Sequence, residues 1–169
     1  MERIMIIGCP GSGKSTLAVK LGEKLKLPVI HLDKLYWKKG WVESSAQEFL
    51  EKLEKELKRP QWIIDGNYGA TIPQRLERAD MVIFLDYPRS VCLSRALKRI
   101  LSGYGKTRPD MGEDCPERLD IEFLKYIWFF RKKNRSGLAK MLAKTPEKVI
   151  IIRNRKEYRR FFKKFLKKF

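Results

Sequence analysis

The chain has 169 residues, 43% of them hydrophobic, enough to bury one core, and the length predicts a single domain over 1–169. Its 38 Lys/Arg against 20 Asp/Glu give a net charge of +18. The excess lies in residues 86–169 (24 against 9) rather than 1–85 (14 against 11), a field that draws polyanions such as nucleotides and nucleic acid. Cys9, Cys92 and Cys115 are odd in number and lack metal-ligand spacing, which argues against a disulfide framework and for reduced thiols in a cytoplasmic protein; no apolar run is long enough for a membrane span.

In chain order, Ile4–Ile7 is a short unbroken apolar run, the pattern of a strand buried on both faces. The run leads into Gly8-Cys9-Pro10-Gly11-Ser12-Gly13-Lys14-Ser15-Thr16. Glycines at 8, 11 and 13 permit positive φ and close backbone approach, so several N–H groups can turn inward on an anion. Leu17, Ala18, Leu21 and Leu25 then repeat at helical spacing, which sets the positive end of a helix against the same anion. Gly8-x-x-x-x-Gly13-Lys14-Ser15 is a nucleotide-phosphate loop in full: Lys14 for the β/γ-phosphates, Ser15 for Mg²⁺. Cys9 reads as a small filler within it. Ile6-Ile7-Gly8-Cys9 has the look of a lipoprotein processing site, but its apolar run is too short for a secretory segment.

Residues 28–32 predict a second strand. A helix follows from Ser44 or Ser45 to about Lys58, with Phe49, Leu50, Leu53 and Leu57 on one face and capping spacing from Ser45 to Glu48. Trp62–Ile64 predicts a third strand, 81–85 a fourth with a helix starting at Pro88, and 149–152 a fifth with a last helix behind it. Strands alternating with helices imply a parallel sheet covered on both faces, with the active crevice at the strands' C-terminal ends.

Asp65, directly after the third strand, suits a carboxylate that serves Mg²⁺ through its water shell. Asp33, after the second, suits one that accepts a proton from an acceptor hydroxyl or positions it. His31, the sole histidine, reads as a strand-end residue and not a general base. Arg95 and Arg99 share a helix face, as do Arg131 and Arg135. Between them runs a Gly- and Pro-rich segment carrying Lys106 and Arg108.

The phosphate loop, Leu32-Asp33-Lys34-Leu35-Tyr36-Trp37, Ile63-Ile64-Asp65-Gly66 and the paired arginines together resemble the adenylate-kinase-like P-loop kinases. Within them the chain is most similar to the bacterial "topology modulation" (FlaR-like) proteins. The resemblance implies a three-layer α/β/α fold with a five-stranded parallel sheet of order 2-3-1-4-5, a substrate-binding insertion over about 34–60 and a lid over about 102–117. It implies ATP and Mg²⁺ as cofactors, Arg95, Arg99 and Arg131 around the transferring phosphoryl group, and adenine near Arg153. One departure is plain: nucleoside-monophosphate kinases follow Asp-Gly with Phe-Pro-Arg, whose arginine grips the acceptor phosphate, whereas here Asn67-Tyr68-Gly69 follows. The expected reaction is therefore phosphoryl transfer to a small acceptor such as a nucleoside, nucleotide or sugar-like hydroxyl compound. Trp37 and Trp41 are available to stack on a ring but read first as packing residues.

Residues 153–169 carry nine Lys/Arg and one acid, with Tyr158, Phe161, Phe162, Phe165, Leu166 and Phe169 at helical spacing. The expectation is a final helix docked by its aromatic face. The alternative is a nucleic-acid-associated ATPase using the basic C-terminal half to hold DNA. A GTPase is disfavoured, because no Asn-Lys-x-Asp motif occurs and Asp65-Gly66-Asn67-Tyr68 lacks a switch glycine.

Overall fold

In a computed structural model, described over residues 2–166, the chain builds a five-stranded parallel sheet from β1 (Arg3–Gly8), β2 (Val29–His31), β5 (Trp62–Asp65), β6 (Met81–Leu85) and β7 (Val149–Ile152). The order is β2-β5-β1-β6-β7, which is 2-3-1-4-5 counted over these five strands, as expected. The central strands are buried almost throughout, so their unbroken apolar runs follow from having helices on both faces. Parallel register sets Ile6 beside Asp65 and Gly8 beside Leu85, so the phosphate loop and Asp65 leave the sheet at the same edge.

Helix α1 (Lys14–Leu25) buries Leu17, Ala18, Leu21 and Gly22 against the sheet. After β2 comes a short helix, α2 (Leu32–Tyr36), then a small hairpin of β3 (Trp37–Lys38) and β4 (Val42–Glu43), neither of which the sequence periodicity reveals. Helix α3 (Ala46–Leu57) starts as predicted, with the Ser45 side chain accepting from the Glu48 N–H at 3.1 Å. Leu50, expected on the buried face with Phe49, Leu53 and Leu57, is 44% exposed; it lies one residue round from Phe49, beyond the width of the apolar stripe.

Between β5 and β6 lies α4 (Ile72–Arg78), absent from the sequence reading. Helices α5 (Arg89–Gly103) and α6 (Ile121–Leu142) flank the expected lid. The last helix, α7 (Arg155–Leu166), sets Tyr158, Phe161 and Phe162 against the core and buries Phe165. Arg159, Arg160, Lys163 and Lys164 are left outward, as the docked-helix reading expects. Lys167, Lys168 and Phe169, counted above in the same segment, lie outside the described residues. Among the described residues no helix is long and apolar enough to cross a membrane, and all three cysteines are buried and unbridged.

The least expected core residue is Arg75, wholly buried on α4. Among the described residues, its guanidinium pairs with no carboxylate. Nε donates to Thr71 Oγ1 at 3.1 Å and to the Thr71 carbonyl at 3.3 Å, one terminal nitrogen donates to the Gly66 carbonyl at 3.0 Å, and the other to the Asn67 carbonyl. Burial brings the group down to about 9 despite the opposing pull of Asp65. Removing it strands several buried acceptors, each costing about 1–3 kcal/mol. Arg75→Met should therefore destabilise the fold by about 3 kcal/mol, a fall of roughly 6–12 °C in melting temperature for a domain of this size. Thermal unfolding followed by circular dichroism checks this; an unchanged melting temperature contradicts the buried-clamp assignment.

Candidate active site

The phosphate loop is shaped by backbone geometry before any ligand arrives. Gly11 sits at φ +80° with the Cys92 carbonyl so near that a Cβ would lie 2.3 Å from it, and Gly13 caps α1 at φ +98°. No side chain caps that helix and no acid occupies its first turn, so the N–H groups there remain available to an anion. Lys14 Nζ meanwhile donates to the carbonyls of Gly8 (3.0 Å) and Cys9 (3.2 Å), folded over its own loop. Ser12 Oγ is buried within the loop and, among the described residues, has no hydrogen-bond partner. The Cys9 thiol packs against Cys92, and that hydrogen bond together with burial pushes its ionisation up, which fits an inert filler.

Two other strand ends, those of β5 and β2, converge on this loop. Asp65, buried at the end of β5, holds Ser15 Oγ at 2.8 Å through Oδ2 and His31 Nδ1 through Oδ1. His31 is thus not a free base but a ligand of Asp65. Burial lowers the affinity of its imidazole for a proton, yet the hydrogen bond and charge of Asp65, with Asp110 and Asp33 beyond, outweigh this, and the net shift is upward. Asp33 lies in the first turn of α2, where its Oδ1 accepts from Tyr68 O–H at 2.9 Å. Burial pushes its carboxyl up, against Lys14 and the Tyr68 hydrogen bond pulling it down; Lys14 is lowered by burial, with Asp33 and Asp65 opposing. Tyr68 is pushed up by burial and by Asp33, so it stays protonated and donates. Asn67 completes the arrangement by accepting the Gly8 N–H at 3.1 Å through its side chain.

Lys14, Ser15, His31, Asp33, Asn67 and Tyr68 face one cavity of about 1140 Å³, while Asp65, Gly8 and Ser12, also expected in the site, are not on its lining. Of the residues singled out from the sequence, Pro10, Gly11, Gly13, Lys14, Ser15, Thr16, His31, Asp33, Arg95, Arg99 and Arg108 line it, together with Trp37. Arg95 reaches the Ser12 carbonyl at 3.2 Å and stacks on Tyr87. Arg99 and Arg108 both hold the buried carboxylate of Glu117, at 3.0 and 2.5 Å, and Arg108 also holds Asp110 at 2.6 Å. Three further expected residues point elsewhere. Arg131, with Arg135, is ion-paired to the buried Asp86 at the end of β6 (3.3 and 2.9 Å), and neither lines the cavity. Arg153 is exposed, its backbone N–H given to Glu157, and Lys106 also lies off the cavity wall.

The segment after α5 lies against the hairpin. Gly112 packs so closely on the Trp37 carbonyl that a Cβ would come within 2.1 Å, and Gly40 N–H donates to Glu113 O at 3.2 Å. Trp41 Nε1 donates to Pro116 O at 3.2 Å while its ring packs edge-on against Trp37. Trp41 is therefore a packing residue, and Trp37 faces the cavity. Tyr68, Asn67 and Arg75 went unremarked as functional residues because their partners are distant in the chain or are backbone carbonyls.

A parallel sheet of this order, with a phosphate loop on its central strand and a carboxylate ending the neighbouring one, defines a P-loop α/β fold. More particularly, the chain belongs to the AAA domain family, whose model matches residues 4–114. It is 32% identical over 106 residues to an adenylate kinase of Thermosipho melanesiensis, covering 61% of this chain and 48% of that one. It is 29% identical over 156 residues to a putative adenylate kinase of Pyrococcus furiosus, covering 87% and 79%. The chain thus spans about half the length of the Thermosipho relative. A solved structure of a putative kinase from Chloroflexus aurantiacus superposes with a TM-score of 0.46 at 18% identity, over 75% of this chain and 77% of that one.

The Gly11 geometry makes a direct prediction. Gly11→Ala forces a methyl into the Cys92 carbonyl at a left-handed φ, so anion binding at the loop should be lost together with some thermal stability. Titration with Mg²⁺-tripolyphosphate beside a melting curve tests it; retained affinity at unchanged stability would show the close approach to be unimportant.

Proposed function

We propose that this protein is an ATP- and Mg²⁺-dependent phosphotransferase that passes the γ-phosphoryl group to a hydroxyl of a small, ring-bearing acceptor. The observation that carries the reading is the juxtaposition, in one cavity, of the phosphate loop with the half-buried Asp33 carboxylate and the Trp37 ring. In this reading Lys14 leaves its own loop carbonyls for the β/γ-phosphate oxygens, a charge-assisted contact. The acceptor hydroxyl attacks the γ-phosphorus, its proton passes to Asp33, the bond to the β-phosphate oxygen breaks, and ADP leaves. Tyr68 holds Asp33 in place through its hydroxyl, and Arg95, Arg99 and Arg108 supply positive charge around the transferring group. Arg131, engaged with Asp86, serves instead to fix α6 to the sheet.

Ser15 and Asp65 suit a magnesium ion. They offer one hydroxyl and one carboxylate oxygen 2.8 Å apart, and among the described residues no cluster of three or more acidic, histidine or cysteine side chains forms an all-protein metal cage. Mg²⁺ keeps several waters and takes the remainder of its shell from phosphate. When bound it neutralises phosphate charge. The insertion over 34–60 forms the acceptor wall, and the segment over 102–117 is the lid.

The acceptor is read as unphosphorylated. The sequence places no arginine directly after Asp65-Gly66, and the arginine of the following helix, Arg75, is fully engaged by carbonyls and the Thr71 hydroxyl. Phosphoryl transfer from ATP should be screened across nucleosides, sugars and nucleoside monophosphates; transfer to monophosphates alone would overturn the acceptor class.

Two variants separate donor from acceptor side. Lys14→Ala should abolish both nucleotide binding and transfer. Asp33→Asn should lower kcat by about 10²–10⁴ while nucleotide affinity stays near that of the parent. Because the base works only when ionised and burial holds its pKa above the ordinary 3.8, the rate should fall as pH drops through that raised value. This acidic limb should vanish in Asp33→Asn; a limb that persists there assigns it to another group.

A further inference from the structure

The two oxygens of Asp65 serve two different elements. Oδ2 accepts from the Ser15 hydroxyl of the phosphate loop at 2.8 Å, and Oδ1 meets His31 Nδ1. The sheet sets the second contact. Strands β2 and β5 run parallel with His31 in register beside Asp65, so the two side chains rise from neighbouring strands on one face. The imidazole is 13% exposed and the carboxylate 4%, which leaves water little room to compete for the contact.

The phosphoryl-transfer steps above make no use of His31, although it is the sole histidine and faces the cavity. An ionised carboxylate only accepts hydrogen bonds, so the hydrogen in this contact sits on Nδ1. Rotation about the last side-chain torsion of an aspartate is loosely restrained, and a partner on one oxygen alone leaves the carboxylate plane free to swing. A donor on the other oxygen removes that freedom. The nearby cations are committed elsewhere: Arg75 to Thr71, Gly66 and Asn67, and Lys14 to the Gly8 and Cys9 carbonyls.

We propose that His31 is the positioning residue of the magnesium site. Its Nδ1 hydrogen holds Oδ1 of Asp65 and so fixes the carboxylate with Oδ2 at the Ser15 hydroxyl, the oxygen pair that serves the ion. This rests on the reading that Ser15 and Asp65 serve Mg²⁺ beside a bound polyphosphate. Hydrogen-bond partners of metal-binding side chains carry about 10–100-fold in metal affinity.

The test uses the full chain and inorganic tripolyphosphate, titrated by calorimetry at one pH, first without metal and then over a series of Mg²⁺ concentrations. His31→Ala should raise the Mg²⁺ concentration needed for tight binding by about 10–100-fold and leave metal-free affinity unchanged. His31→Asn, whose amide N–H takes the place of Nδ1, should restore most of the loss. His31→Gln, whose amide lies where Nε2 does, should not. An unchanged Mg²⁺ requirement in folded His31→Ala overturns the assignment. So does a loss in His31→Asn equal to that in His31→Ala, because the ring and not its N–H would then matter. If melting curves show His31→Ala unfolded, the Asn and Gln variants carry the comparison, and equal requirements in those two overturn it. If Mg²⁺ does not change the parent's affinity, the metal reading of Ser15 and Asp65 fails, and this one with it.

Discussion

A buried guanidinium bound to carbonyl oxygens organises the centre of this molecule. Arg75 ties down the carbonyls of Gly66 and Asn67, the two residues that follow Asp65. With that turn fixed, each neighbouring side chain has one place to go. The Asn67 amide takes the Gly8 N–H, Tyr68 crosses to Asp33, and Asp65 lies between Ser15 and His31. The donor, metal and acceptor sides of the proposed site thus hang from a single turn. A buried charge is costly to desolvate, and satisfying it with backbone acceptors makes it a rigid structural element at a position where a carboxylate partner would compete with Asp65.

The two insertions form a second level of organisation. Neither the hairpin nor the segment after α5 has a large core of its own; each is completed by the other, through Gly112 against Trp37 and Trp41 against Pro116. Their junction carries Trp37 and, nearby, Arg108, so the ring-facing wall and the cationic wall of the cavity are positioned together. Long-range pairing of this kind explains why Trp41 is committed to packing while its neighbour four residues away is not.

Much of the architecture was legible in the residues themselves. Unbroken apolar runs at 4–7, 62–64 and 81–85 mark strands buried on two faces, the run at 149–152 marks an edge strand with Ile151 exposed, and Gly8 to Thr16 is contiguous, so its geometry is local. What escaped depends on contacts distant in sequence. Tyr68 meets Asp33 across 35 positions, and Arg131 meets Asp86 across 45. Helical spacing groups Arg131 with Arg135 on one face, but the spacing carries no information about what that face meets. Arg75, on a seven-residue helix, has the sequence signature of an ordinary surface arginine. The hairpin strands, of two residues each, are too short to leave a period.

Glu117 gives the segment after α5 an unusual electrostatic character. Arg99 and Arg108 are not bare cations in this state, since both share the one carboxylate, which is itself buried. That carboxylate is an internal surrogate anion, holding two guanidiniums at a mutual spacing they would not adopt unaided, given their repulsion. An arriving anion would therefore exchange with a resident one and would not have to strip water from isolated charges. Its binding would have to outweigh the hold of Glu117 on both guanidiniums and of Asp110 on Arg108, which favours an anion of several charges such as a polyphosphate over a chloride or a lone carboxylate.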